Sequence, residues 1–170
     1  YSFFVRYSNT HHWRPPAQNS KFEILNSRNI LDRWILARIT QLENEVITSM
    51  DEYRTDNAAR AFIPFVDDLS NWYVRRSRTR LQHPENDQEK QDVFGTLYTV
   101  LVQVSKILAP FMPFVAEEMY RNLTGEQSVH LAQFPVAEEF DAVIIDRTKH
   151  VRDAISEALA LRAVAKIKVR

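Results

Sequence analysis

Apolar residues recur at steps of three and four along most of this chain, a period that admits helices and little else. Leu31, Ile35, Ile39, Leu42, Val46, Met50 and Tyr53 form one stripe, the spacing that lines one face of a helix. The stripe predicts a helix of roughly seven turns ending near Arg54, with Asn29 as N-cap and Asp32 in its first turn. Val93, Leu97, Val100, Leu101, Val104, Ile107 and Leu108 form a second stripe, in a helix opening at Asp87 with Glu89 in its first turn. A third begins at about Glu138, where Ile144, Val151, Ile155, Ala158, Leu159 and Arg162 face one way. The 170 residues include only two glycines, Gly95 and Gly125. That is too few for a glycine-rich phosphate loop or a turn-rich β fold. Leu, Ala, Glu, Gln and Arg are plentiful and favour helix. The expected fold is an all-α helical bundle in one domain, large enough to bury roughly 70% of the surface its unfolded chain exposes.

Punctuation between the stripes divides the bundle. Tyr1–Tyr7 reads as the tail of a helix, ended by Trp13-Arg14-Pro15-Pro16, with an extended connector over 14–28. Thr55 or Asp56 is expected to cap a helix running to about Leu81, kinked at Pro64. His83–Asp87 is a turn. Pro113 suits the first turn of a further helix, and Gly125 a left-handed C-cap. Ser128–Leu131 alternates briefly.

The densest charge lies in residues 67–81, where Arg75, Arg76, Arg78 and Arg80 follow Trp72 and Tyr73. At about 100° per residue, Phe62, Phe65, Val66, Trp72 and Tyr73 share the face of Leu69. Arg76 and Arg80 continue it, Arg75 flanks it and Arg78 points away. Cations near a helix C-terminus suit the macrodipole, but four arginines exceed capping needs. Guanidinium forks match phosphate oxygens and stack on bases. Arg76, on the stripe, is read equally as a buried structural ion or as a polyanion contact.

Other chemistries are disfavoured. Net charge is zero, so any polyanion must bind a local patch. Cysteine is absent, which excludes disulfides, thiol nucleophiles and thiolate metal sites. Glu117 and Glu118 are adjacent and diverge on a helix, so they read as exposed acids rather than a catalytic pair. His11 and His12 are expected to face solvent, and His130 to pack or hydrogen-bond rather than catalyse. No stretch reaches the apolar length of a membrane span. The chain has no starting Met and reads as part of a larger cytoplasmic protein.

Several motifs carry a family resemblance. Leu69-Ser70-Asn71-Trp72-Tyr73-Val74-Arg75-Arg76-Ser77-Arg78 resembles the Leu-Ser-Asn-Trp-Tyr-x-Arg-Arg-Ser-Arg motif in the helical anticodon-binding domain of isoleucyl-tRNA synthetases. Leu31-Asp32-Arg33-Trp34-Ile35 resembles their Leu-Asp-Arg-Trp-Ile element, read here as a helix start with a buried Trp and exposed charges. Leu108-Ala109-Pro110-Phe111-Met112-Pro113-Phe114 resembles a segment shared by class I synthetases for branched aliphatic amino acids. Phe3-Phe4, Ser128-Val129-His130-Leu131 and the closing Ile167-Lys168-Val169-Arg170 match in order. Leu81-Gln82 departs from the aromatic pair usual after the last arginine.

The resemblance implies an anticodon-binding bundle of the class I aminoacyl-tRNA synthetase type. Residues 1–28 would be an exit helix and connector, 29–135 the bundle, and 136–170 a C-terminal helix. It implies tRNA as partner, with Trp72, Arg75, Arg76, Arg78 and Arg80 as contact residues. The parent would join isoleucine to its tRNA using ATP and Mg²⁺, with zinc in some members. Its catalytic, editing and C-terminal regions would be further partners. This segment has no His-x-Gly-His or Lys-Met-Ser-Lys-Ser motif, so it is expected to hold no catalytic residue, metal or cofactor. Two other readings are a valyl- or leucyl-type anticodon domain and a purely structural helical interaction domain.

Overall fold

The computed structural model describes residues 1–15 and 29–166, so most of the 14–28 connector and the closing Ile167–Arg170 motif lie outside the described residues. Among those described, every regular element is helical. Helix α1 spans Ser2–Thr10, α2 Ile30–Asp51 and α3 Thr55–Asp67. A π-helical turn, Asp68–Val74, follows α3 directly, and a short α4 covers Arg78–Gln82. Then come α5 (Asp87–Leu108), α6 (Pro113–Thr124) and α7 (Ala142–Val164). A 3-10 turn at Val129–Leu131 lies where alternation hinted at extended chain.

The helix ends follow from local chemistry. The Asn29 side chain accepts from the Leu31 N–H at 2.9 Å, satisfying a donor the first turn leaves orphaned. Asn86 accepts from the Glu89 N–H at 2.8 Å, while Glu89 reaches back to the Glu85 N–H at 2.7 Å. Pro113 opens α6, and Gly125, at φ 74°, closes it in the left-handed region that glycine adopts at no steric cost. Two expected boundaries move. No side chain caps α3, whose first residue is Thr55, and Asp141 rather than Glu138 starts α7, accepting from the Ile144 N–H at 3.0 Å.

Helices α2, α3 and α5 surround the core. Trp34, Ile35, Leu42 and Val46 from α2 meet Phe65 from α3 and Val93, Phe94, Leu97 and Val100 from α5, each at most 2% exposed. Complete burial of such a side chain contributes roughly 1.5–3 kcal/mol. Phe4 of α1 and Trp13 lie against Phe94 and Tyr98. The Trp13 indole N–H donates to Gln91. His11 does not face solvent as expected: its ring donates to the Gln82 carbonyl and lies beside Phe94. Gln82 also donates to the Tyr7 hydroxyl at 2.7 Å. The departure at Leu81-Gln82 thus gives one fully buried side chain and one tether for α1.

Glu117 and Glu118 diverge as adjacent helical residues should, though Glu117 is not a free acid. It accepts from the Ser128 hydroxyl and the Val129 N–H, at 3.0 and 2.9 Å, and so fixes the 3-10 turn against α6. The Val129 N–H, with help from Ser128, lowers its carboxyl pKa against a smaller opposing effect of desolvation. His130 is exposed, so the expected packing role is not observed. Beyond the turn, residues 132–141 cross α2, where Asn44 exchanges two hydrogen bonds with the Glu138 backbone. Helix α7 then packs on α2. Its stripe is only partly used: Ile144 is buried, while Val151 and Leu159 are 55% and 50% exposed.

Candidate nucleic-acid interface

The arginine cluster leaves the bundle at a change of helical geometry. Past Pro64, α3 continues to Asp67 and then widens into the π turn. Its i→i+5 bonding slips the phase of everything downstream, so a wheel drawn at constant angle fails there. Ser77, fully buried with non-helical dihedrals, then resets the phase before α4. These two events distribute the four arginines.

Arg80 is carried inward. Its two terminal nitrogens each donate at 2.9 Å to one oxygen of Asp32, and its Nε donates to Glu89 at 3.1 Å. Asp32 is 0% exposed, which corrects the expectation for one of the two charges beside Trp34, while Arg33 faces solvent as expected. Tyr73, also fully buried, donates to the same Asp32 carboxylate at 2.8 Å. Burial first, and then the adjacent Asp32 charge and hydrogen bond, hold the Tyr73 hydroxyl well above its usual pKa. Burial alone would lower the Arg80 pKa, but the bonds and charge of Asp32 outweigh it and raise it. A bidentate guanidinium–carboxylate pair is the geometry arginine satisfies best.

Arg76 turns outward instead. It is exposed, and its guanidinium carbon lies 3.7 Å from the centre of the Trp72 ring. The wheel placed it on the core stripe together with Val66, which is 53% exposed; the phase slip removes Arg76 from that face. Arg152 of α7 also lies over Trp72, 5.0 Å from the ring centre. Its guanidinium pairs with Asp68, which in turn accepts from Arg38 Nε at 2.8 Å, and with Asp67 at 3.5 Å. Trp72 is therefore fixed by α2, the π turn and α7 together. Its indole N–H is enclosed and has no acceptor among the described residues.

Arg75 and Arg78 are exposed and make no hydrogen bond or ion pair among the described residues. Beside Arg76, a groove of about 540 Å³ opens between the start of α2 and α7, with Trp72, Arg76, Arg147 and the Arg33–Asp141 pair around an apolar floor of Ile144 and Val151. The structure thus brings Trp72 and Arg76 together, leaves Arg75 and Arg78 free beside them, and withdraws Arg80 into the core. Sequence reasoning missed Arg152 and the groove's Arg33 and Arg147. The apolar stripe of α7 is its clearest sequence signal, and Arg147 and Arg152 flank that stripe on either side.

Trp72, half-buried under the Arg76 guanidinium and followed by the exposed Arg75 and Arg78, gives the helical bundle a cationic aromatic surface. The family model described as "Anticodon-binding domain of tRNA ligase" matches residues 32–170, and the chain belongs to that family. It is similar to isoleucine–tRNA ligases: 42% identical over its full length to that of Dehalococcoides mccartyi strain CBDB1. It is 40% identical over 95% of its length to isoleucine–tRNA ligase 2 of Bacillus thuringiensis subsp. konkukian. Over 82% of its length it is 44% identical to the ligase of B. thuringiensis strain Al Hakam. The chain spans only 17%, 15% and 13% of these relatives.

No helix among the described residues is long and apolar enough to cross a membrane. No three His, Asp or Glu side chains among them converge to hold a metal.

Proposed function

We propose that this chain is the tRNA-binding unit of an isoleucine–tRNA ligase, gripping the anticodon stem-loop through Trp72, Arg75, Arg76 and Arg78. The observation that carries the reading is the Arg76–Trp72 stack, held open at the surface with two unpaired arginines beside it. Free guanidiniums attract the phosphate backbone, and a fixed aromatic–guanidinium face suits unstacked loop bases. Arg147 extends the cationic rim, while Arg33 is paired with Asp141 and Arg152 with Asp67 and Asp68. Arg80 belongs to the fold: its donors are already committed to Asp32 and Glu89.

In this reading the longer parent attaches isoleucine to tRNA with ATP and Mg²⁺, and with zinc in some members, in regions outside this chain. The parent is cytoplasmic, and residues 1–28 and 136–170 join the bundle to its neighbours. The valyl and leucyl alternatives draw no support from the relatives above, all of which are isoleucine–tRNA ligases. A purely structural role accounts for Arg80 but gives Arg75 and Arg78 nothing to bind. Titrating the chain with isoleucine tRNA at low salt separates the readings, since a structural bundle leaves the tRNA unbound.

A further inference from the structure

A second cleft, of about 520 Å³, lies on the other side of α2 from the arginine cluster, between α2, α5 and the 132–141 segment. Its inner wall carries Glu43, only 6% exposed. The Glu43 Oε1 is enclosed without a hydrogen-bond partner among the described residues, and so is Oε1 of Gln103 across the cleft on α5. Leu36, Ile39 and Phe134 supply an apolar wall. Two charged groups face Glu43: Lys106 from α5 and Glu138 from the crossing segment. Lys106 acts on the Glu43 charge from a distance but forms no ion pair with it.

We propose that this cleft binds a small aliphatic amine or guanidine, whose cationic head donates to Glu43 and Gln103 while its carbon stem lies along Leu36, Ile39 and Phe134. Two enclosed acceptors call for a donor-rich head, because buried polar groups are normally paired. The same acceptors disfavour carboxylate and phosphate ligands. With Glu43 ionised, Glu43, Glu138 and Lys106 sum to one negative charge, which favours a cation. The volume falls within the range of small-molecule sites.

Glu43 also ties binding to pH. Burial first, and then the Glu138 charge, push its carboxyl up to about 7, with Lys106 opposing. An ammonium or guanidinium head needs the carboxylate form, so binding strengthens as pH rises through neutrality.

The test is a calorimetric titration of the chain with n-butylammonium and n-butylguanidinium at pH 6 and pH 8, with n-butanol as uncharged control. The expected result is saturable one-site binding of the cations at pH 8, weakened about tenfold at pH 6 and undetectable for the alcohol. Glu43→Gln should weaken binding about tenfold at pH 8 and abolish its pH dependence, with an unchanged circular dichroism spectrum. If that variant does not fold, Lys106→Gln serves instead: removing the competing cation should tighten binding several-fold. Cations that bind no better than n-butanol overturn the proposal. So does a folded Glu43→Gln or Lys106→Gln chain that binds like the parent.

Discussion

Arg80 holds Asp32 through both terminal nitrogens, 48 residues apart in sequence and with the carboxylate fully enclosed. The pair joins the first turn of α2 to the last arginine of the cluster. Tyr73 completes it from the π turn. The helix segment that presents Trp72, Arg75, Arg76 and Arg78 is thus bolted to the bundle at each end by one buried carboxylate.

Removing Arg80 should therefore damage the fold rather than a binding surface. Breaking one side of a buried pair leaves an uncompensated charge and typically costs about 3–5 kcal/mol. Arg80→Ala should lower stability by roughly that much in urea denaturation. Arg78→Ala, at an exposed site without a partner, should stay within about 0.5 kcal/mol of the parent. Equal effects of the two substitutions would contradict the division of the cluster.

Tyr73 predicts an alkaline weakness. Its folded pKa is raised, so the folded chain keeps this proton where the unfolded chain, with a tyrosine pKa near 10, releases it. Stability from this group is whole below pH 10 and declines as pH rises beyond it. Tyr73→Phe should cost about 1 kcal/mol at neutral pH and show a shallower loss of stability between pH 10 and 11. A slope unchanged by the substitution would exclude Tyr73 as its source.

Glu43 gives a second pH signature, near neutrality. Its folded pKa of about 7 exceeds the ordinary 4.5, so the folded state binds the proton more tightly than the unfolded chain does. The contribution is whole below pH 4.5 and lost as pH rises through 7, a change on the order of 2–4 kcal/mol. Glu43→Gln should remove that part of the decline, leaving the variant more stable than the parent at pH 8. Thermal melts from pH 4.5 to 8 would show it, and parallel curves for the two chains would refute it.

Much of the bundle is legible in the sequence because its helices are long and single-faced. The stripes from Leu31 and Val93 become α2 and α5, Asn29 caps the first as expected, and Trp34 sits in the core as read. The site was less legible, for a geometric reason. A helical wheel assumes one angle per residue, and the π turn at Asp68–Val74 and the break at Ser77 violate that assumption between the stripe and the arginines. Arg76 and Arg80 consequently look alike in sequence and point to opposite environments in space. Asp32 was misplaced because its partners, Arg80 and Tyr73, lie more than forty residues away, and no local pattern announces such a pair. Arg152 was missed for the same reason, since only the tertiary contact of α7 with the π turn brings it over Trp72.

Isolated from any further region, the chain should bind tRNA with little selectivity. Arg75 and Arg78 offer unpaired charge, which reads phosphate rather than base, and only the Trp72–Arg76 face can sense a loop nucleotide. Isoleucine tRNA and an unrelated tRNA should differ in affinity by less than about tenfold, or roughly 1.4 kcal/mol. Greater discrimination in competition binding would mean that the groove beside Trp72 reads bases directly.

The central claim is that the exposed arginines meet tRNA while Arg80 serves the fold. The most direct measurement is the salt dependence of tRNA binding for the parent chain and for the Arg75→Ala/Arg78→Ala double variant, with matched thermal melts. Each lost contact to single-stranded phosphate should reduce the slope of log K against log salt by about 0.7. The double variant should therefore bind more weakly, with a slope shallower by about 1.4 and an unchanged melting temperature. A double variant that binds tRNA with the parent's affinity and slope at every salt concentration would contradict the account.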